Sequence, residues 1–210
     1  NLGILYSEGK GVKKNIPKAV ECFKKAADLG NINALYNLGY LYSEGEDVEK
    51  DIPKAIEYYQ KASDHGDLEA NTNLGIIYEQ GNGVMKDYSK ALKYYKKAES
   101  LGSSNGINNL GLMYEEGRGV MRDDSKAIKY YQKAADMGND LAIRNLDRMK
   151  KKQSKSIFSL LDIFNFFWTE KYVFLLMYIA ENDSVVLHSS KEKLRFLLVL
   201  NSKFEKLLVK

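Results

Sequence analysis

The sequence has little of what disulfide-linked or metal-held folds need. It contains one cysteine, Cys22, and two histidines, His65 and His188, among 210 residues. A single cysteine excludes an internal disulfide, and these three residues exclude a metal site built from several cysteine and histidine ligands. Two prolines and a hydrophobic content of 44% also exclude disordered and collagen-like chains. We therefore expect a chain that folds by burying apolar surface, with neither a metal nor a cofactor.

An excess of charge of one sign is absent from most of the chain. Residues 1–150 carry 22 basic and 22 acidic side chains, whereas residues 151–210 carry 10 and 6. The long neutral part has no general attraction for nucleic acid, so we expect no nucleic-acid partner. The chain opens at Asn1 without a methionine or a signal-peptide pattern. We expect a fragment of a cytoplasmic protein, with the endoplasmic reticulum as the alternative compartment.

A repeat with a period of 36 residues organises the first two thirds of the chain. The tripeptide Asn-Leu-Gly begins at residues 1, 37, 73 and 109, and a decayed copy, Asn-Leu-Asp, begins at 145. A tyrosine and then a second glycine follow each intact copy at intervals of three. The repeated positions are Leu38, Gly39, Tyr42, Gly45, Leu74, Gly75, Tyr78, Gly81, Leu110, Gly111, Tyr114 and Gly117. A fixed period of this length predicts a solenoid of stacked units.

Each unit predicts two helices. Helix A is predicted to begin after an N-cap at Asn31, Asp67 or Ser103 and to end about fourteen residues later at a glycine. Helix B is predicted to begin after Asn15, Asp51, Asp87 or Asp123 and to bury Ala55, Ile56, Tyr59 and Ala62. Neither helix is long enough to be stable alone, so each must pack against its neighbours. Gly39 and Ala55 are expected to let two helix backbones approach closely.

The pattern Asn-Leu-Gly-x-x-Tyr-x-x-Gly-x-Gly-Val, followed by Lys-Ala and a closing glycine, resembles the Sel1-like repeat, a relative of the tetratricopeptide repeat. The resemblance covers residues 1–149. It implies an all-α fold, a right-handed α-α superhelix, and a scaffold or adaptor that binds a protein or peptide. Two positions depart from the pattern. Asp47 replaces a loop glycine, and Asp147 replaces the motif glycine of the last copy, where we expect the array to end.

One flank of helix A is predicted to bind the partner, because in related repeats this flank faces a concave groove. Its residues are Asn37, Tyr40, Glu44, Asn73, Ile76, Gln80, Asn109, Leu112 and Glu116, and a second register adds Tyr36, Asn108 and Arg144. Amide and apolar side chains in alternation suit a bound peptide. Two alternatives stay open. In the first, the recurring asparagine is a contact between units and not a contact with the partner. In the second, Ile76 and its equivalents belong to the core between units and not to the binding surface.

Paired tyrosines recur in helix B, at 58–59, 94–95 and 130–131. Such pairs suggest a surface on which nucleic-acid bases stack. One member of each pair, however, falls on the predicted buried face of helix B. We therefore interpret the pairs as part of the core.

The period disappears after Met149. Residues 150–156 are predicted to form a basic hinge, and residues 157–210 an apolar and basic tail with helical structure. A membrane span through 157–180 is the less favoured interpretation, because Asp162, Glu170 and Lys171 interrupt the apolar run. A tail that covers the open end of the solenoid is favoured, and a tail that lies in the groove is an alternative.

The function predicted from these features is that of a non-catalytic interaction scaffold. The alternatives are a membrane-associated adaptor of endoplasmic-reticulum quality control and a regulatory fragment of a larger signalling protein. An enzyme is not expected, because the sequence has no nucleophile elbow, phosphate-binding loop or zinc-binding helix motif.

Overall fold

The computed structural model describes residues 2–45 and 48–154, which form an all-α array of paired helices. The first eight helices are α1 (Leu2–Glu8), α2 (Ile16–Asp28), α3 (Ile32–Glu44), α4 (Ile52–Asp64), α5 (Leu68–Gln80), α6 (Tyr88–Ser100), α7 (Ser104–Glu116) and α8 (Asp124–Asp136). A further helix, α9, begins at residue 140 and is still helical at 154. The odd-numbered helices are helix A of successive units and the even-numbered helices are helix B, as the repeat predicts.

The predicted caps set the helix boundaries. Asn31 accepts a hydrogen bond of 2.9 Å from the backbone of Ala34, and Asp51 accepts one of 3.0 Å from Lys54. These side chains satisfy amide groups that the first helical turn leaves unpaired. Helix A ends in a left-handed glycine, with φ between 71° and 77° at the three caps that follow α3, α5 and α7. Helix B of this unit, α4, ends at Asp64.

The core lies between helix B of one unit and the helices A on either side of it. Leu38 and Ala55 are fully buried, and Tyr59 is 1% exposed. Around Tyr59, the buried side chains of α4 pack against Leu35 of the same unit and against Leu74 and Ile77 of the next. The buried faces predicted from the spacing are therefore present, and each unit completes the core of its neighbour.

The glycine of the Asn-Leu-Gly motif makes room for an aromatic ring. A methyl group at Gly39 would lie 2.6 Å from the ring of Tyr59, and one at Gly111 would lie 2.6 Å from the ring of Tyr131. Gly39 was predicted to bring two helix backbones together, but the group that it accommodates is a tyrosine of helix B. The second tyrosine of each pair is thus core, as the spacing predicted.

The last described helix, α9, packs on α8 as the helix A of a fifth unit. Its Leu146 and Met149 are buried against Ala127 and Tyr131. The helix continues through 154, so the first five residues of the predicted hinge are helical. Lysine and glutamine favour helix, and no glycine or proline stops it here.

The predicted tail, 157–210, lies outside the described residues, as do the end of the predicted hinge and Asp47. A tail that covers the open end of the solenoid and a tail that lies in its groove therefore both stay predictions. Among the helices of residues 2–154 that the structure describes, none has the length and apolar character that a membrane crossing requires.

Candidate functional site

The flank of helix A chosen from the sequence forms a row of partly exposed side chains on α3, α5 and α7. Its members are half-buried or exposed, and Tyr40 is 48% exposed. We call this row the helix-A surface; it comprises Asn37, Tyr40, Glu44, Asn73, Ile76, Gln80, Asn109, Leu112 and Glu116. Its side chains alternate between amides, apolar groups and acids, so it offers both hydrogen bonds and apolar contact to a partner.

Six of the predicted binding residues line one cleft between α3 and α5, which we call the open cleft. Its volume is about 200 Å³, and the predicted residues in its wall are Tyr36, Tyr40, Glu44, Asn73, Ile76 and Gln80. The rest of the wall comes from Ser43, Lys50, Ile52, Tyr59, Ile77 and Asn82. The rings of Tyr36 and Tyr59 are tilted against each other with centroids 5.8 Å apart. The open cleft therefore combines aromatic walls with polar groups at the scale of one amino-acid side chain.

The recurring asparagine forms contacts between units at several positions. Asn145 donates a hydrogen bond of 3.1 Å to Asn108 in the preceding helix A. Burial raises the pKa of Tyr36 and of Tyr59, and hydrogen bonds with Asn73 oppose that rise. Asn37 differs, since its amide donates to the Asn33 carbonyl of its own helix at 2.8 Å. The structural interpretation of this asparagine thus has direct support, with side chains of the neighbouring unit as partners.

The second register of predicted binding residues needs a correction. Asn108 is only 3% exposed, because its side chain points from α7 toward α9 and accepts the hydrogen bond of Asn145. It is a contact between units and does not offer its side chain to a partner. Tyr36 is half-buried in the wall of the open cleft, and Arg144 is exposed on α9.

The apolar members of the helix-A surface belong to two environments at once. Ile76 packs against the buried cluster that contains Tyr95 and Leu110, and Leu112 packs against the cluster that contains Leu146. Both side chains are nevertheless partly exposed. The two alternatives from the sequence, core and binding surface, therefore do not exclude each other.

A carboxylate and an arginine fill the place that corresponds to the open cleft one unit later. Glu79 accepts a hydrogen bond of 2.6 Å from the hydroxyl of Tyr95 and one of 2.7 Å from Arg118. Arg118 also pairs with Glu116. Charge-assisted bonds of this kind are among the stronger ones in proteins. Between α5 and α7, the positions equivalent to Ser43 and Asn82 of the open cleft are thus joined by an ion pair of the chain itself.

The next pair of units repeats this arrangement. Glu115 accepts a hydrogen bond of 2.7 Å from the hydroxyl of Tyr131, and both terminal nitrogens of Arg148 bind the same carboxylate. The hydrogen bond with Arg148 is the main reason why the pKa of Glu115 lies below its ordinary value. Neither pair was predicted from the sequence, although the sequence carries a signal. Glu79 and Glu115 stand at equivalent positions of the repeat, where the preceding unit has Ser43.

The first tyrosine of each helix-B pair stacks on the tyrosine of helix A. Tyr42 and Tyr58 are nearly parallel, with an interplanar angle of 3° and centroids 5.8 Å apart, and the ammonium group of Lys54 lies 5.5 Å from the Tyr42 ring. The same stack recurs in the next two units. These tyrosines therefore join helix A to helix B within a unit.

Titratable side chains do not assemble into a metal site in the part of the chain that the structure describes. No group of three or more histidine, cysteine, aspartate or glutamate residues there is placed to hold an ion. His65 is exposed, and its ring nitrogen Nδ1 lies 2.8 Å from the carbonyl oxygen of Lys61. Cys22 is partly buried as a free thiol.

The repeat geometry agrees with a comparison against known families. A model of the Sel1 repeat matches four consecutive stretches, residues 1–31, 32–67, 68–103 and 104–139. The chain belongs to the Sel1 repeat family. Each matched stretch holds one helix A, its loop and one helix B, and α9 follows the fourth Sel1 repeat. Sel1 repeats typically bind other proteins and form a scaffold fold that is typically non-catalytic.

Solved structures of Sel1 repeat proteins superpose on this array. A Sel1 repeat protein from Oxalobacter formigenes is 40% identical with a TM-score of 0.65, over 70% of this chain and 60% of that one. The protective antigen c5321 of uropathogenic Escherichia coli is 36% identical with a TM-score of 0.67, over 70% of this chain and 32% of that one. Cysteine rich protein B of Helicobacter pylori is 30% identical with a TM-score of 0.50, over 66% of this chain and 99% of that one. The chain thus spans less than two thirds of the length of the first two of these proteins.

Proposed function

We propose that this Sel1 array is a non-catalytic scaffold that binds a peptide segment of a partner protein on the helix-A surface. The observation that carries the proposal is the open cleft, in which six residues of the predicted binding set meet around a space of about 200 Å³. A cleft of this size takes a side chain, and the exposed row on either side of it takes the segment that carries the side chain.

The chemistry of the row supports an extended peptide. Tyr40 and the partly exposed Ile76 and Leu112 offer apolar contact. Gln80 and Glu116 are exposed at the ends of α5 and α7 and offer hydrogen-bond acceptors next to those contacts. Apolar anchors beside adaptable polar groups are common in peptide recognition, because the anchors supply affinity and the polar groups fix the backbone.

The test compares two variants of the full chain on an array of immobilised peptides. The first variant, Tyr40→Ala/Gln80→Ala/Glu116→Ala, changes the helix-A surface at exposed positions and so spares the core. The control variant, Lys93→Ala/Lys129→Ala, changes exposed positions of helix B. We expect peptides bound by the wild type to lose about tenfold or more in affinity with the first variant and little with the control.

Thermal unfolding followed by circular dichroism establishes that both variants stay folded. Equal affinities of wild type and first variant would overturn the proposal, and so would a loss confined to the helix-B control.

A further inference from the structure

We infer that the open cleft binds an arginine side chain of the partner, in the place that the chain's own arginines fill in the next two units. The inference rests on the proposed function, since it names the chemistry of the segment that the helix-A surface binds. Its basis is a comparison of equivalent positions within one chain, in which one interface between units differs from the two that follow.

In both of the later interfaces the guanidinium group comes from the following unit. Arg118 lies in the loop after α7 and reaches back to Glu79 on α5, with a nitrogen–oxygen distance of 2.7 Å. Arg148 lies on α9 and reaches back to Glu115 on α7. In each case an arginine lies across the seam between two helices A, beside the hydroxyl of a buried tyrosine. The space between two neighbouring helices A therefore accommodates a guanidinium group whether the arginine lies in the loop, as Arg118 does, or on helix A, as Arg148 does.

The open cleft is the same seam without its arginine. Asn82 stands at the position of Arg118, and Ile76 stands at the position of Arg148. Ser43, at the position of Glu79, gives its hydroxyl proton to the carbonyl oxygen of Tyr40 at 2.9 Å, and its oxygen lies 3.3 Å from the Tyr59 hydroxyl. Short neutral side chains therefore replace long charged ones, which leaves the space that a partner's side chain would enter.

The sequence at the end of α3 and after it carries an excess of negative charge. Glu44 and Lys50 both line the cleft and are exposed, so the lining itself carries one charge of each sign. The sequence from 44 to 51 as a whole carries five acidic residues and this one lysine. The equivalent sequence of the next unit, 80–87, carries one acidic residue and one lysine. The excess of negative charge is therefore specific to the unit whose cleft is open. Such an excess attracts a basic partner and repels an acidic one.

The walls of the open cleft suit arginine better than other side chains. The rings of Tyr36 and Tyr40 line it, and a guanidinium group stacks on aromatic faces while its planar fork donates several hydrogen bonds. Ser43 and Asn82 also carry acceptor oxygens in the wall, whereas the amide oxygen of Gln80 already accepts a hydrogen bond of 2.5 Å from Asn82. A partner carboxylate would meet the Tyr59 hydroxyl as Glu79 meets Tyr95, but it would also face the carboxylate of Glu44.

The probes for the test are four pools of capped heptapeptides in which only the central residue is fixed, as arginine, lysine, glutamine or glutamate. Binding of each pool to the full chain is measured by fluorescence anisotropy. We expect the arginine pool to bind about tenfold or more tightly than the glutamine pool, because its hydrogen bonds are charge-assisted. The affinity of the lysine pool should lie between those of the arginine and glutamine pools, since an ammonium group is charged but lacks the planar fork of a guanidinium group.

Three variants of the open cleft are each expected to change the binding of the arginine pool in a stated direction. Ser43→Glu supplies the carboxylate that the next two units have and should tighten the arginine pool. Ser43→Glu/Asn82→Arg also supplies the chain's own arginine, so it should close the cleft and abolish the preference for arginine. Glu44→Gln changes an exposed side chain without disturbing the fold and should reduce the preference.

A matched variant opens the neighbouring seam. Arg118→Asn leaves Glu79 in place and removes its guanidinium partner, so the space between α5 and α7 becomes a second cleft of the same kind. We expect the arginine pool to bind this variant at two sites. Binding stoichiometry at saturating peptide, measured by isothermal titration calorimetry, reports the additional site.

The outcomes separate the inference from the proposed function. The inference is overturned if the glutamate pool binds more tightly than the arginine pool, or if Ser43→Glu/Asn82→Arg leaves the preference unchanged. If in either case Tyr40→Ala/Gln80→Ala/Glu116→Ala still weakens peptide binding, the proposed function stands without the inference. If no pool binds the wild type, the inference and the peptide-binding proposal fail together.

Discussion

The hydroxyl of Tyr95 donates a hydrogen bond of 2.6 Å to the carboxylate of Glu79. One unit earlier, the hydroxyl of Tyr59 has only neutral partners, the oxygen of Ser43 at 3.3 Å and the side chain of Asn73. Both rings are fully buried and both lie over the glycine of the Asn-Leu-Gly motif. The residue at this position of helix A thus decides whether the hydroxyl of an equivalent tyrosine meets a neutral oxygen or a carboxylate.

Replacing each tyrosine by phenylalanine measures this difference. Tyr95→Phe removes a charge-assisted hydrogen bond and should lower the free energy of unfolding by about 1.5–3 kcal/mol, whereas Tyr59→Phe should lower it by about 0.5–1.5 kcal/mol. Urea denaturation of the full chain, followed by circular dichroism, provides both values. Equal losses would show that the two hydroxyls contribute alike despite their different partners.

The motif glycine leads to a second prediction. A methyl group at Gly75 would overlap the ring of Tyr95, so Gly75→Leu should overpack the contact between α5 and α6. We expect a loss of about 1–3 kcal/mol in the free energy of unfolding. Lys93→Leu, which adds the same side chain at an exposed position of α6, is the matched control and should change stability little.

The ring itself provides a further check of this prediction. In a Tyr95→Leu background the aromatic ring is absent, so the additional loss caused by Gly75→Leu should shrink. A Gly75→Leu protein that melts with the wild type, or a penalty of the same size in both backgrounds, would contradict the proposed packing of glycine against tyrosine.

The ion pair of Glu115 and Arg148 predicts a dependence of stability on pH. The hydrogen bond with Arg148 lowers the pKa of Glu115 below its ordinary value of 4.5. Because the folded protein has the lower pKa, the pair contributes fully above the ordinary pKa, and its contribution disappears as the pH falls through the lowered value. Arg148→Gln should therefore destabilise the protein at neutral pH and less so in acid.

Thermal unfolding of wild type and Arg148→Gln at about pH 7 and about pH 3, on either side of the ordinary pKa of a glutamate, measures the change. Arg122→Gln is the control, because Arg122 and its partner Asp124 have exposed side chains and such pairs contribute little. A difference between wild type and Arg148→Gln that stays constant over this pH range would contradict the role assigned to Glu115.

Local chemistry explains why the fold was predictable from the sequence. The caps at Asn31 and Asp51, and the glycine that ends α3, depend on residues within one helical turn, so their effect is readable without a structure. The buried faces of α3 and α4 follow from spacing alone. The error at Asn108 concerns a longer distance, because its side chain is enclosed by a helix of the next unit.

The sequence alone therefore determined the period, the two helices of each unit, their boundaries and the residues that face the core, because all of these depend on neighbours within a few positions of the chain. Only the tertiary structure decided which neighbouring units are joined by an arginine–glutamate pair. Arg118 meets Glu79 across 39 positions of sequence and Arg148 meets Glu115 across 33. Contacts at such separations arise from the stacking of whole units, and the open cleft beside Ser43 and Asn82 appears only when that stacking is known.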